Sequence, residues 1–161
     1  MKNMLFVLAC MLFLSGCKKD DVKPLKSGQS RFSFSVSGAT SGDFNSDDLL
    51  STVASSESLI NVSASKVDLK TFSTELVLMI LPADVSVKKY ALGDMTSSEA
   101  VPTFAYTKGT TGWATAPGTS DFTIEVTKVS GGEVEGKVYG KLINETDETE
   151  ISIDGTFSYK L

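Results

Sequence analysis

Histidine is absent from this 161-residue chain, and cysteine occurs only at Cys10 and Cys17. A chain without imidazole cannot form a Ser-His-Asp triad, a Cys-His pair or a histidine-based zinc or copper site. Any chemistry would have to rest on carboxylates, lysine, tyrosine or serine. The composition therefore predicts a protein that is not an enzyme and that uses no cofactor.

Long apolar runs are also missing, apart from one near the start. Residues 4–14 are apolar, follow Lys2, and are succeeded by the small residues Ser15 and Gly16. The run is shorter than the roughly 20 residues that a membrane-spanning helix needs. A cleaved signal peptide over residues 1–16 is therefore the better interpretation.

The four residues that end this segment are Leu14, Ser15, Gly16 and Cys17, which resemble the lipobox of bacterial lipoproteins. The resemblance implies cleavage before Cys17 and acylation of its sulfur and of its new amino group. Several acyl chains on one residue give stable membrane attachment. We therefore expect a lipid anchor on Cys17, the alternative being an ordinary secretory signal in which Cys17 is incidental.

The segment after Cys17 is polar and charged. Residues 18–21, Lys-Lys-Asp-Asp, resemble the surface-export signal of Bacteroidota lipoproteins, which implies outer-membrane location and display at the cell surface. The alternative orientation faces the periplasm. Residues 17–30 lack apolar periodicity and contain Pro24 and Gly28, which predicts a flexible tether. A single domain is then expected over residues 31–161.

Clustered positive charge is absent as well. Without residues 1–16 the chain would carry 14 basic and 20 acidic side chains, a formal charge of −6. Binding of nucleic acid requires a basic patch, whereas lysines here alternate with acids and hydroxyls. Nucleic acid is therefore not an expected partner.

Alternation of apolar and polar residues dominates the predicted domain and indicates strands with one buried face. The clearest example is residues 31–37, where Phe32, Phe34 and Val36 alternate with serines. Residues 72–81 are apolar on both faces beyond Glu75, which predicts a central strand covered on both sides. Further strands are predicted at residues 49–54, 59–65, 85–92, 103–106, 121–129, 133–143 and 150–159, although residues 46–49 could instead begin a short helix.

About nine strands separated by short turns predict an all-β fold, an antiparallel β-sandwich that is jelly-roll-like or a flattened barrel. Gly136 and Gly140 lie inside a predicted strand, where a glycine indicates a bend or a close approach of another backbone. The sequences FSFSVSG (32–38), VEGKVYGKL (134–142) and ISIDGTFSY (151–159), together with the lipobox, resemble small Bacteroidota lipoproteins of unknown function. That resemblance implies this fold and location and supplies no catalytic residues.

Asp43, Asn45 and Asp47 are candidate metal ligands, because their oxygens recur at the alternate positions used by calcium loops. Asp48 and Ala54 stand where an EF-hand loop requires glycine and glutamate, so the alternative is a solvated turn. The acidic segment at residues 144–150 presents the same two options, weak cation binding or a solvated hairpin turn.

Tyr106 and Trp113 are candidate ligand-binding residues that flank a glycine- and threonine-rich loop at a predicted edge of the sandwich. An exposed aromatic ring in such a place can stack on a sugar. The alternative is that Trp113 closes the end of the sandwich with its N–H bonded to a carbonyl. Two functions follow: a non-enzymatic binding or structural accessory module whose partners are other envelope proteins, or a glycan-capture module.

Overall fold

The computed structural model describes residues 23–46, 50–91, 102–116 and 121–161. These residues contain eleven strands and no helix, so the predicted all-β class is confirmed. The strands are β1 Ser30–Gly38, β2 Gly42–Asn45, β3 Ser51–Ser55, β4 Leu59–Asp68, β5 Ser73–Pro82, β6 Lys89–Ala91, β7 Thr103–Lys108, β8 Thr111–Ala114, β9 Phe122–Ser130, β10 Glu133–Ile143 and β11 Glu150–Lys160.

All strand pairs are antiparallel and belong to one curled sheet. The main order is β2-β1-β11-β10-β8-β7-β5-β4-β3, with β9 beside β10 and β6 beside β9. The start of β1 also meets the opposite edge of the sheet, because Val53 N donates to Gly28 O at 3.0 Å and Ser30 Oγ donates to Ser63 O at 2.9 Å. The sheet therefore folds back on itself, broadly as a sandwich or flattened barrel.

The core lies between the facing halves of this sheet. The inward residues of β1, Phe32, Phe34 and Val36, are buried as their alternation predicts, and each side chain removed from water stabilises the fold by about 1.5–3 kcal/mol. Aromatic rings form much of the interior: Phe34 stacks on Phe44 with centroids 4.9 Å apart, and Phe104 stacks on Phe122 at 5.0 Å. The predicted inward residues of β9 to β11 are also buried, namely Phe122, Ile124, Val126, Val134, Val138, Leu142, Ile151, Ile153, Phe157 and Tyr159.

Strand β5 differs from its prediction. Val77, Met79 and Leu81 are fully buried, whereas the outward Leu76 is 44% exposed and the outward Leu78 and Ile80 are only half-buried. The prediction that residues 72–81 are covered on both sides is therefore wrong. An apolar composition permits cover on both faces, but only the inward face of this strand is packed.

Three other boundaries differ from the sequence predictions. Residues 42–45 form β2 rather than part of a turn, and residues 111–114 form β8 after a tight turn at Gly109. Of the described residues 85–91 in the strand predicted at 85–92, only Lys89–Ala91 are in a strand, while Val85 packs against the core and Val87 is exposed. Much of the possible helix at residues 46–49 lies outside the described residues.

The close approach predicted at Gly136 is confirmed. A Cβ atom there would lie 2.5 Å from Phe157 Cζ and closer still to the carbonyl oxygen of Glu125. The pairing register of β9 and β10 shifts between Glu135 and Gly136, which marks a bulge at this point. Gly136 therefore allows β9, β10 and the Phe157 ring to pack together.

The folded part begins earlier than predicted. Leu25 is buried, Gly28 N donates to Lys160 O at 2.9 Å, and Lys160 N donates to Gln29 O at 3.0 Å. The prediction of a flexible tether over residues 17–30 is therefore wrong for residues 25–30, because hydrogen bonds to the last strand fix this segment. Residues 17–22 lie outside the described residues.

The two ends of the barrel carry different parts of the chain. Gly28 and the β9–β10 turn lie at one end, beside the last residues of β11, and we call this the proximal end. The β4–β5 and β7–β8 turns lie together at the other end, where Gly109 N donates to Thr74 O at 2.9 Å, and we call this the distal end. The eleven residues of β11 separate the two ends by about 33 Å.

Candidate functional site

Tyr106 and Trp113 lie on neighbouring strands and point into the core. Trp113 is only 5% exposed and Tyr106 only 1%, and their rings stack with centroids 6.2 Å apart and an interplanar angle of 20°. One face of each ring therefore packs against the other ring and is not exposed to solvent. This burial argues against the hypothesis that the pair stacks on a sugar.

The polar atoms of both rings are satisfied within the fold. Tyr106 Oη donates to Glu75 Oε2 at 2.8 Å, and Trp113 Nε1 donates to Thr149 Oγ1 at 3.1 Å. The tryptophan therefore donates to a hydroxyl in the β10–β11 turn, and not to a carbonyl as in the alternative to sugar stacking. Burial, and then the hydrogen bond to Glu75, raise the pKa of Tyr106 far above its ordinary value.

The two candidate metal ligands that the structure describes do not lie in a loop. Asp43 and Asn45 lie on β2, where the backbone is extended, and Asn45 Oδ1 accepts a hydrogen bond from Ser33 Oγ at 2.7 Å. An extended strand cannot wrap an ion as a calcium loop does. Asp47 lies outside the described residues, and the described part of the chain contains no cluster of three or more Asp, Glu, His or Cys residues suited to a metal.

The acidic segment between β10 and β11 is a turn that its own side chains stabilise. Asn144 Oδ1 accepts from Thr146 N at 2.8 Å, and Asp147 Oδ1 accepts from Thr149 Oγ1 at 2.7 Å and from Thr149 N at 3.1 Å. These bonds from Thr149 hold the pKa of Asp147 below its ordinary value. The polar composition of this segment is therefore explained by turn formation.

Several outward carboxylates of the sheet face lysines. Glu150 lies 3.0 Å from Lys141, Glu125 lies 3.9 Å from Lys89, and Glu135 pairs with Lys128. Such exposed pairs contribute about 0–1 kcal/mol each. They make this outer face polar and close to balanced in charge rather than reactive.

A shallow groove of about 410 Å³ runs along the same outer face, between the segment that precedes β1 and strand β10. Its walls carry charges of both signs, including Arg31, Lys137 and Glu135, and its floor carries hydroxyls from β1 and β11. Arg31 Nη2 donates to Lys23 O at 3.2 Å, so the arginine also fastens the N-terminal segment. Pro24, Leu25 and Phe157 also line the groove, so charged, hydroxyl and apolar groups are mixed along it.

A different feature, which the sequence analysis missed, stands at the distal end. We call residues 66–72, which comprise the last three residues of β4 and the connection to β5, the hairpin tip. Phe72 is 89% exposed and Leu69 is 78% exposed, and these are the two most exposed large apolar side chains of the described residues. The signal was present in the sequence, because the segment between the strands predicted at 59–65 and 72–81 contains apolar residues where a solvated connection would be polar.

No family model, no curated protein and no solved structure matches this chain. The part of the chain that the structure describes contains no helix that is both long and apolar enough to cross a membrane.

Proposed function

We propose that this chain is a lipid-anchored lipoprotein of the outer membrane that acts as a non-enzymatic binding or structural module at the cell surface. The observation that carries the proposal is the Leu-Ser-Gly-Cys sequence at residues 14–17, followed closely by buried Leu25. The six residue steps from Cys17 to Lys23 span at most about 21 Å. An anchor on Cys17 would therefore hold the proximal end of the barrel near the bilayer.

The chemistry of the side chains supports a non-enzymatic role. The chain has no histidine, and acylation of Cys17 with loss of the signal would leave no thiol. Among the described carboxylates, Glu75 binds Tyr106, while Glu135 and Glu150 pair with lysines. Each is thus occupied by a structural partner instead of facing a second carboxylate across a cleft.

The outer face of the sheet supports contact with another envelope protein. Ser33, Ser152 and Thr156 are exposed outward residues on adjacent strands, and Ser33 and Thr156 also line the shallow groove. Hydroxyls and balanced charges offer many hydrogen bonds without a large apolar patch, as in the polar rim of transient interfaces. The buried Tyr106 and Trp113 pair gives no comparable support to glycan capture.

The anchor can be tested with the chain's two cysteines. In cells fed a labelled fatty acid, the Cys17→Ser chain is expected to lose the label and leave the membrane fraction, because the acylated sulfur is gone. The Cys10→Ser chain is the matched control. It is expected to keep the label and to stay in the membrane fraction, since Cys10 lies within the predicted signal. An unlabelled wild-type chain with a free Cys17 thiol and an uncut leader would refute the proposal.

Surface display is tested by treating intact cells with protease. A domain on the cell surface is expected to be degraded while a periplasmic marker survives. Protection of the domain in intact cells, with degradation after the outer membrane is opened, would contradict surface display and favour the periplasmic orientation.

A further inference from the structure

We infer that the hairpin tip is a second membrane contact, which inserts Leu69 and Phe72 into the interface of an anionic bilayer. Both side chains project into solvent at the turn between two strands, with Val67 46% exposed beside them. A convex projection of this kind cannot enclose a small ligand, but it can enter a soft surface. The inference goes beyond the proposed function and does not depend on acylation of Cys17.

Backbone pairing, one hydrogen bond and the backbone angle of Phe72 define the shape of the tip. Asp68 pairs with Ser73 at the end of the β4–β5 ladder, which leaves residues 69–72 as the connection. Asp68 Oδ1 accepts a hydrogen bond from Lys70 N at 2.8 Å and so fixes the first part of the turn. Phe72 has a φ of 53°, an uncommon conformation for a bulky residue, and it keeps the ring outside the sheet.

The charge of the tip fits anionic lipid. Lys66 precedes the apolar side chains, Lys70 lies between Leu69 and Phe72, and the only acid among residues 66–72 is Asp68. Lys66 Nζ donates to Asp43 O at 3.2 Å, which holds this lysine beside β2, while Lys70 is exposed. The chain as a whole is acidic, so two lysines around apolar residues form a local exception. Apolar side chains bordered by lysine are the pattern of segments that bind anionic membrane interfaces.

The position of the tip limits how the domain can sit on its own membrane. The tip is at the distal end, about 33 Å along the strands from the proximal end. The segment from Cys17 to Lys23 can lift the proximal end by at most about 21 Å. An anchored domain can therefore touch the same bilayer with its tip when it is inclined, but not when it stands upright.

The test places a fluorescent reporter at the tip of the full chain. In the Phe72→Trp chain, the native Trp113 is buried, so subtraction of the wild-type spectrum isolates the new indole. With vesicles of phosphatidylethanolamine and phosphatidylglycerol, we expect a blue shift and loss of most of the added emission to brominated lipid. Vesicles of phosphatidylcholine alone are expected to give a much smaller response. In the Phe72→Trp background, Lys70→Gln should lower the ratio of inserted to free tip about fivefold.

The matched control is Thr110→Trp, which reports from the exposed β7–β8 turn at the same distal end. Its emission is expected to stay that of a solvated indole. Equal quenching of both reporters, or an unchanged Phe72→Trp spectrum with anionic vesicles, would overturn the inference. A response to native membranes but not to protein-free vesicles would also overturn it, in favour of a protein partner. Mass spectrometry of Cys17 reports acylation separately, so a silent tip on an acylated chain refutes only this inference.

Discussion

At the level of single residues, two buried tyrosines have hydroxyls in opposite situations. Tyr106 Oη donates to Glu75 Oε2, whereas the hydroxyl of Tyr159 is buried without a hydrogen-bond partner among the described residues. A buried polar group without a partner costs about 1–3 kcal/mol of desolvation, while a typical hydrogen bond contributes about 1 kcal/mol. Removal of the hydroxyl should therefore have opposite effects on the free energy of unfolding at the two positions.

We predict that Tyr159→Phe raises the free energy of unfolding by about 1 kcal/mol, because it removes an unsatisfied hydroxyl and keeps the ring. Tyr106→Phe is the matched comparison and should lower the free energy of unfolding by about 1 kcal/mol, because it leaves Glu75 without its donor. Urea denaturation of both variants at neutral pH measures the difference. A loss of stability in Tyr159→Phe would show that its hydroxyl has a partner.

A second residue-level prediction concerns Gly136. Gly136→Ala should lower the free energy of unfolding by about 2–3 kcal/mol, because the new methyl group would overlap the Phe157 ring and the Glu125 carbonyl. Gly112→Ala is the control, since its Cβ would meet only Thr107 Oγ1 at 3.4 Å. Denaturant midpoints of the two variants test this, and similar values for both would mean that β9 and β10 can separate without cost.

At the level of elements, the sequence predicts where strands lie better than how they pair. Period-two alternation is local, and it correctly placed β1 and the inward residues of β9 to β11. Pairing joins distant segments, as Ser30 with Tyr159 and Tyr90 with Ile124, and alternation carries no information about it. The short strand β2 was missed because it gains its ladder only from β1. The outward side of β5 was misjudged because composition does not reveal whether a second layer covers it.

The β10–β11 turn offers a prediction at this scale, because it fastens β8 through Thr149. Thr149→Val should lower the free energy of unfolding by about 1–2 kcal/mol, since Trp113 Nε1 loses its acceptor inside the fold. The same change should raise the pKa of Asp147 toward its ordinary value, because the hydroxyl that binds the carboxylate is gone.

Urea denaturation and NMR titration of the Asp147 side chain provide the two measurements. Thr146→Val removes a hydroxyl from the same turn but leaves the backbone bond to Asn144, and it should change neither quantity. An unaltered Asp147 pKa in Thr149→Val would show that Thr149 does not stabilise the carboxylate.

At the level of the whole molecule, the sequence predicts the fold class but not which side chains the surface exposes. Tyr106 and Trp113 are residue types that often form binding sites, yet the two strands orient both rings into the core. Phe72 is a residue type that favours strands, yet its backbone conformation directs the ring into solvent. Which side of the sheet a residue occupies at a strand end depends on where the hairpin closes, and a shift of one residue reverses it.

The stability of the whole domain should fall in alkaline solution. Burial is the main cause that raises the pKa of both Tyr106 and Tyr159 above the ordinary value of 10.0. A raised pKa in the folded state means that stability is fully present below pH 10, where the unfolded chain also holds its protons. As pH rises further, the unfolded chain releases protons that the folded chain retains. The free energy of unfolding then falls by about 1.4 kcal/mol per pH unit for each tyrosine.

Urea denaturation from about pH 8 to about pH 11 measures this slope, and phenolate absorbance shows whether both hydroxyls ionise only on unfolding. Tyr159→Phe should remove the contribution of Tyr159 to the fall of the free energy of unfolding with pH. The double variant with Tyr106→Phe should remove the contributions of both tyrosines. Because each group is buried on the inward face, its ionisation reports opening of the barrel rather than local motion of a turn. Phenolate absorbance that develops near pH 10 from these two residues in the folded protein would mean that water reaches the interior between the two halves of the sheet.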